Sequence, residues 1–284
     1  MLILNAHSRL VDALAFAPDG RGLAASGSYL ACRVLDPLTG ARRWTAAANS
    51  AFGVSLAFAP GAVLCRQGGL SVRDPLTGAE VRRFDDWCQS FALAPDGRTL
   101  LTAGGRDRVT RCDLGTGAAA AAADLDSGAI NRLAVSPDGA VVAAVGCKRF
   151  YLLAARTLEV LAADAHRALS SGAFGLAFSP CGRFVVYSAG RTLFVWDVPG
   201  RREVARRPSA AKHVTDAAFT PDGRWLLTAG KEGAVRVWDT AGWECARALE
   251  WGVGPLRAVA VAADGTRAAA AGDTGQVVVW DLDA

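Results

Sequence analysis

The sequence predicts an all-β fold in which seven similar four-stranded antiparallel sheets form a single domain, residues 1–284. Three observations lead to this prediction. A strand and turn motif occurs seven times, an aspartate closes a later strand in six of the repeats, and an apolar N-terminal segment can complete the last sheet. A self-similar period of about 40 residues is typical of folds whose units are stable only when packed on their neighbours.

The first repeated element is an alternating apolar segment that runs into a tight turn. Its copies are LAFAPDG (14–20), LAFAPGA (56–62), FALAPDG (91–97), LAVSPDG (133–139), LAFSPCG (176–182), AAFTPDG (217–223) and VAVAADG (259–265). Proline presets φ, aspartate bonds to nearby backbone and glycine accepts a positive φ. Each copy therefore predicts a strand, a turn and a second strand.

The second repeated element is an aspartate that ends a third strand. The copies carry Asp36, Asp74, Asp113, Asp197, Asp239 and Asp281. Tryptophan precedes this aspartate in the last three copies, as Trp196, Trp238 and Trp280. We expect Leu35, Arg73, Cys112 and Ala154 to replace the tryptophan in the first four copies, the fourth reading Ala154-Ala155 where the others end in aspartate. A fourth strand can be placed after the third in each of the first six copies.

Four short strands per repeat, with a Trp-Asp pair closing the third, resemble the WD40-repeat family. The resemblance spans essentially the whole chain and implies a seven-bladed β-propeller. In that family such domains commonly hold other proteins or peptides without catalysing a reaction. The resemblance therefore implies a binding scaffold, with a protein or peptide as its partner and Trp196, Trp238 and Trp280 packed between blades.

The last repeat needs a fourth strand from elsewhere. Its third strand ends at Asp281, three residues before the last residue of the sequence. Residues 2–4 are Leu-Ile-Leu and precede the first innermost strand, so we expect them to form the outer strand of blade seven and close the ring. Without this strand, backbone groups at the joint would lack partners.

Composition argues against several classes of function. The seven cysteines are widely spaced and form no CxxC pair, and only His7, His166 and His213 accompany them, so we expect no metal. P-loop, GxGxxG, HExxH and GxSxG motifs are absent from the sequence, so we expect no cofactor, no catalytic residue and no enzymatic activity. No signal peptide and no long apolar run is present, which favours a cytoplasmic protein with no membrane partner. Alanine richness with only three lysines favours a bacterial source.

Nucleic-acid binding is the less favoured interpretation of the basic residues. The net charge is +4, from 31 basic and 27 acidic residues. The basic clusters are the doublets Arg42-Arg43, Arg82-Arg83, Arg201-Arg202 and Arg206-Arg207. Each follows a turn where an outer strand should begin, and charged side chains on such strands discourage edge-to-edge association.

The partner-binding residues are predicted from the position six residues before each turn-opening residue. In the resembled family this position lies at the upper mouth of the central channel and commonly contacts partners. Here it is occupied by Asp12, Val54, Gln89, Asn131, Phe174, Thr215 and Arg257. Trp87 and Trp251 precede innermost strands and are further candidates, because exposed tryptophan is a common interface anchor. Sequence drift at an exposed position explains the variety equally well.

Two other interpretations concern the same face. Asp12 with Arg257 is the obvious ionisable pair for a small-molecule or enzymatic site at the channel mouth, although an ion pair is the simpler account. The turn-opening residues are spaced by 42, 35, 42, 43, 41 and 42 residues. The short second step predicts a notch in the rim beside Trp87 and Gln89, or a mere truncation of the repeat.

Alanine occupies one position in all seven copies, three residues before the turn-opening residue, as in Ala134. Innermost strands crowd together, so a small side chain is expected there, with the flanking residues filling the space between blades. We predict that Ala134→Phe destabilises the protein by about 1–3 kcal/mol through overpacking. A thermal melt measures this loss, and a melting temperature equal to that of the wild type would contradict it.

Overall fold

The computed structural model describes residues 1–7, 9–27, 32–46, 55–66, 69–84, 88–104, 107–165, 173–209 and 213–282. Within these ranges the chain forms 28 β-strands. The described part of the chain contains no helix with the length and apolar character needed to span a bilayer.

The strands follow one another in seven groups of four, with the first strand of the chain belonging to the last group. The first strands are β1 (Leu2–Asn5), then β2 (Ala13–Phe16), β3 (Leu23–Ser26), β4 (Cys32–Leu35) and β5 (Arg42–Ala46) of blade one. Blade two has β6 (Leu56–Ala59), β7 (Ala62–Arg66), β8 (Leu70–Arg73) and β9 (Glu80–Phe84). Blade three has β10 (Cys88–Leu93), β11 (Thr99–Gly104), β12 (Arg108–Asp113) and β13 (Ala119–Asp124). Blade four has β14 (Ile130–Val135), β15 (Val141–Gly146), β16 (Arg149–Ala154) and β17 (Val160–Ala165).

Blades five to seven repeat the same order. Blade five has β18 (Ala173–Phe178), β19 (Phe184–Ala189), β20 (Thr192–Asp197) and β21 (Arg202–Pro208). Blade six has β22 (Val214–Phe219), β23 (Trp225–Gly230), β24 (Ala234–Asp239) and β25 (Glu244–Glu250). Blade seven has β26 (Leu256–Val261), β27 (Arg267–Gly272) and β28 (Gln276–Asp281), completed by β1. The predicted fold class of seven four-stranded antiparallel blades is confirmed.

The N-terminal strand pairs as predicted. Strand β1 runs antiparallel to β28, with Leu2 opposite Val279, Ile3 opposite Val278 and Leu4 opposite Val277. The Leu4 side chain is buried in a core shared by blades seven and one, together with Leu23 and Val277. Strand β1 therefore supplies both the backbone partners that the edge of β28 needs and apolar contact with the next blade.

The chain forms two compact units, Met1–Asp85 with Thr215–Ala284, and Asp86–Val214. In the first unit, apolar cores lie between blades six and seven, seven and one, and one and two. Trp280, Leu23 and Val63 are members of these three cores in turn. Blades seven and one therefore bury apolar side chains against a neighbouring sheet on both sides.

The second unit contains blades three, four and five. Leu101, Ile130 and Leu153 belong to the core between blades three and four. The core between blades four and five is aromatic: the Phe150 and Tyr187 rings stack with centroids 4.7 Å apart and planes 13° apart. Offset aromatic stacking of this kind adds to the free energy gained from burial alone.

The register of blade four corrects one sequence assignment. Val141 opposes Ala154 in the same way that Phe184 opposes Asp197 in blade five. Ala154 therefore occupies the aspartate position and Leu153 the tryptophan position, so the assignment of Ala154 to the tryptophan position was wrong by one residue. Leu153 is fully buried. An apolar side chain is what the inter-blade core requires there, and alanine at Ala154 leaves the turn without a carboxylate.

We predict that Leu4→Ala lowers the free energy of unfolding by about 2 kcal/mol, because it leaves a cavity where β1 packs on blade one. The matched control is Leu2→Ala in the same strand. Leu4 is 6% exposed and Leu2 is 36% exposed, so the control should change stability by less than about 0.5 kcal/mol. Urea unfolding measures both, and equal effects would show that β1 contributes no apolar packing to the joint.

Candidate partner-binding site

The repeated residues of the first turn hold the backbone. In five blades the turn aspartate accepts a hydrogen bond from the amide two residues later, over 2.8–3.0 Å: Asp19 from Arg21, Asp96 from Arg98, Asp138 from Ala140, Asp222 from Arg224 and Asp264 from Thr266. The following glycine has a positive φ, as at Gly97 and Gly139. The aspartate and glycine of each of these turns therefore stabilise the turn itself.

The aspartates that end the third strands close the second turn in the same way. The recorded donors are the amides of Leu38 and Thr39 to Asp36, Leu76 and Thr77 to Asp74, Thr116 to Asp113, Gly200 to Asp197 and Ala241 to Asp239. Asp281 is the last residue of β28. In blade four, the amide of Leu158 donates to the carbonyl oxygen of Ala154 over 2.7 Å and the amide of Glu159 donates to the Thr157 hydroxyl, so that turn closes without a carboxylate.

The three tryptophans of the motif lie in the interior of the structure. Trp196, Trp238 and Trp280 are all buried. The Trp196 ring lies 5.0 Å from the Phe150 ring of blade four, between centroids. The Trp238 indole donates to the Thr228 hydroxyl over 2.9 Å. Burying an indole with its N–H satisfied avoids the cost of an unpaired polar group.

Trp251 is half-buried and its ring contacts that of another tryptophan. Its ring centroid lies 4.6 Å from that of Trp280, with the planes 39° apart. Part of the Trp251 ring therefore packs against the core between blades six and seven. The other tryptophan candidate, Trp87, lies outside the described residues, as do Val54 and the segment 85–87 beside the proposed notch, so the notch stays a prediction.

In the first unit, the strand-start side chains connect neighbouring blades. Arg257 Nη1 lies 3.0 Å from Asp12 Oδ1, joining blade seven to blade one, and the same guanidinium pairs with Asp273. The Thr215 hydroxyl lies 3.1 Å from the carbonyl oxygens of Ala229, in its own blade, and Leu256, in blade seven. These positions therefore hold adjacent blades together.

In the second unit, side-chain amides at the strand-start position connect neighbouring blades. Gln89 Nε2 donates to Asn131 Oδ1 over 3.2 Å, from blade three to blade four. Asn131 Nδ2 is in turn 3.7 Å from Cys147 Sγ. Phe174, at the equivalent position of blade five, is half-buried. These contacts were not predicted from the sequence, although complementary side chains in consecutive copies, such as Gln89 and Asn131, indicated them.

The described residues contain no group of three or more histidine, cysteine, aspartate or glutamate side chains that could hold a metal ion. His7 is buried and its Nε2 atom lies 3.2 Å from the carbonyl oxygen of Ala25. Burial lowers the pKa of His7, so the imidazole is neutral at pH 7 and Nε2 donates to this carbonyl. His7 is a structural residue of blade one, and His166 lies outside the described residues.

Two clefts lie at the opposite end of the blades, where the first turns are. One of about 290 Å³ is lined by residues of blades three and four, among them Asp96, Arg111 and Asp138. The other, of about 300 Å³, is lined by residues of blades six and seven, among them Asp222, Arg247 and Asp264. Both combine acidic and basic side chains, so neither favours a ligand of one charge.

The arginine doublets lie in or beside outer strands and have acidic neighbours. Arg43 lies 3.6 Å from Asp36, Arg83 3.7 Å from Glu80, and Arg206 2.9 Å from Glu203, between nitrogen and oxygen atoms. Such exposed pairs contribute little to stability. They also reduce the positive potential that a phosphate backbone would meet.

Comparisons with known proteins match parts of the chain to a repeat family. The model of the family described as WD domain, G-beta repeat, or WD40, matches residues 159–197 and 206–239. The chain is 40% identical over 73 residues to the mouse Mitogen-activated protein kinase-binding protein 1, covering 25% of this chain and 5% of that protein. It is 28% identical over 156 residues to the Target of rapamycin complex subunit wat1 of Schizosaccharomyces pombe, covering 54% of this chain and 49% of that protein. The chain thus spans at most about half the length of these relatives.

Because turn aspartates are stabilised in their charged form, we expect the fold to lose stability in acid, and Asp113 provides a test. A hydrogen bond from Arg98, 2.5 Å from Asp113, and another from the Thr116 amide lower the pKa of Asp113 to about 2. Because the folded-state pKa lies below the ordinary value of 3.8, the carboxylate stabilises the fold above about pH 4. That contribution is lost as the pH falls towards 2.

We therefore expect Asp113→Asn to lower the midpoint of urea unfolding at pH 7. The midpoints of the variant and the wild type should converge as the pH falls from 4 to 2. The matched control is Asp126→Asn, because the Asp126 side chain is 78% exposed. A difference between Asp113→Asn and the wild type that stays constant from pH 7 to pH 2 would contradict the assignment.

Proposed function

We propose that this WD40-repeat protein is a non-catalytic scaffold that binds a protein or peptide at its upper face, the end of each blade where the innermost strand begins. The proposed contact residues are Asp12, Val54, Gln89, Asn131, Phe174, Thr215 and Arg257, with Trp87 and Trp251 beside them.

One observation supports the proposal: the side chain at the strand-start position differs in chemistry from blade to blade. Turn aspartates and the alanines of the innermost strands recur from blade to blade, and the aspartates bond to turn amides. The strand-start residues instead comprise two charged residues, two amides, a hydroxyl and an aromatic ring among the described copies. A surface that varies while its scaffold repeats is suited to recognising one particular partner.

The exposed parts of these residues define what a partner would meet. In the first unit, the Arg257 side chain is 38% exposed and is oriented by Asp12 and Asp273. A guanidinium held by two carboxylates presents its remaining N–H groups in a fixed direction, which suits an acceptor such as a peptide carbonyl. In the second unit, the half-buried Gln89 amide and Phe174 ring offer hydrogen bonding and apolar contact, whereas Asn131 is buried behind its bond to Gln89.

Two names among the relatives support a binding role. One relative is named as a kinase-binding protein and the other as a subunit of a complex. We extend only the general role, attachment to another protein, to this chain. Fold alone does not fix function.

The alternative of a small-molecule or enzymatic site at the channel mouth has less support. Asp12 and Arg257 form an ion pair across 3.0 Å, so both groups already have a partner within the protein. We also propose a cytoplasmic location, because the odd number and wide spacing of the seven cysteines do not suggest a disulfide framework.

The experiment is affinity capture from lysate of the source cells with the purified protein as bait, followed by titration of the captured partner. We expect Phe174→Ala and Gln89→Ala each to weaken binding of the same partner at least tenfold, about 1.4 kcal/mol. The matched control is Val160→Ala, an apolar truncation on an outer strand at a residue 47% exposed.

Each bait must show the circular dichroism spectrum and melting behaviour of a folded protein. Loss of one partner from both upper-face variants but not from Val160→Ala would support the proposal. Undiminished binding by both upper-face variants would place the binding site on the sides or at the first-turn end instead.

A further inference from the structure

Two cysteines from neighbouring blades meet in the core of the first unit. Cys32 is the first residue of β4 in blade one, and Cys65 lies in β7 of blade two. Both are 0% exposed. They share an apolar core with Val34, Trp44 and Val63. The residues are 33 positions apart, so their proximity is a product of how blades one and two pack.

The two sulfur atoms are in direct contact. Cys65 Sγ donates to Cys32 Sγ over 3.0 Å, whereas a disulfide bond has a length of about 2.05 Å. The sulfurs therefore need to approach by about 1 Å to reach bonding distance. Other cysteines contact different groups: Cys112 Sγ lies 3.6 Å from the Leu100 carbonyl oxygen, and Cys147 Sγ lies near Asn131.

We propose that Cys32 and Cys65 form an oxidation site whose product is a disulfide linking blades one and two. A peroxide serves as the oxidant. The sulfur of one cysteine attacks a peroxide oxygen, the O–O bond breaks, and a sulfenic acid and one water are formed. The second sulfur then attacks the sulfenic sulfur, the S–S bond forms, the S–O bond breaks and a second water leaves. Two thiols thus lose two electrons and two protons, and hydrogen peroxide is reduced to two waters.

Contact between the thiols makes the second step intramolecular. Reacting groups held together have effective concentrations far above those of groups in solution. Once either sulfur is oxidised, the other is already adjacent, so the disulfide outcompetes reaction with an external thiol. The core around the pair, which includes Val34 and Val63, contains no third cysteine that could compete for the oxidised sulfur.

Burial makes the first step slow and shields the site from large reagents. The hydrogen bond with Cys65, followed by burial, raises the pKa of Cys32, so little thiolate is present at neutral pH. Cys181 is exposed, and a hydrogen bond with Ser179 lowers its pKa. Cys181 and the exposed Cys245 are therefore expected to react first and must be removed before the buried site can be measured.

The disulfide would fasten one joint of the first unit. Its loop closes residues 32–65, and a cross-link over a loop of this size restricts the unfolded chain. The oxidised protein should therefore melt at a higher temperature than the reduced protein. Reduction would restore the present state, so the site couples the stability of this joint to the redox state of the surroundings.

The experiment uses the full chain carrying Cys181→Ser and Cys245→Ser, which retains five of the seven thiols. One sample is treated in the native state with hydrogen peroxide. A second is unfolded, reduced and refolded in a glutathione redox buffer, where access is not limiting. We expect the intact mass to fall by two hydrogen atoms, the alkylatable thiols to fall from five to three, and peptide mapping to recover a Cys32–Cys65 cross-link.

Three further variants in the same background serve as controls. Cys32→Ser and Cys65→Ser should each abolish the cross-link and the rise in melting temperature, whereas Cys112→Ser, at another buried thiol, should retain both. Circular dichroism must show that each variant is folded. The proposal is overturned if the refolded parent protein, folded by this criterion, keeps five alkylatable thiols or yields a cross-link between other cysteines.

Discussion

Packing of each sheet against the next sheet is the interaction on which the rest of the structure depends. A sheet of four strands, each four to seven residues long, is too small to bury an apolar core alone. Second and third strands are therefore covered on both faces. Strand β27 has five consecutive buried residues, whereas β21, at the outer edge, alternates between exposed and half-buried residues. Inner strands that are covered on both faces read as continuous apolar runs.

This constraint accounts for the division of labour among the repeated residues. Glycine and aspartate in the turns bring each strand back beside the previous one, and small residues on the innermost strands let neighbouring blades approach. Large apolar residues such as Trp196 and Leu153 fill the spaces between blades. The strand-start position is free of these requirements. Different polar pairs at this position connect adjacent blades: Asp12 pairs with Arg257, and Gln89 pairs with Asn131.

The sequence predicted the repeat number, the turn residues and the joining of β1 to β28, because each of these has a local signature. It placed the fourth blade's motif one residue late, since two alanines beside a leucine carry no mark of register when tryptophan and aspartate are both missing. Hydrogen bonding across β15 and β16 decides that register. The exposure of Trp251 was also beyond the sequence, because the Trp280 ring that covers part of it lies in a later strand.

Taken alone, the sequence determined the seven blades, their strand order and the chemistry of their turns, because turn propensities and alternating apolar residues act over a few neighbouring positions. Only the tertiary structure decided which distant side chains meet. The contact of Cys32 with Cys65 and the hydrogen bond from Thr215 to the Leu256 carbonyl oxygen depend on the packing of one sheet on the next. That packing is set by the shape and volume of many side chains together, and no spacing within the chain records it.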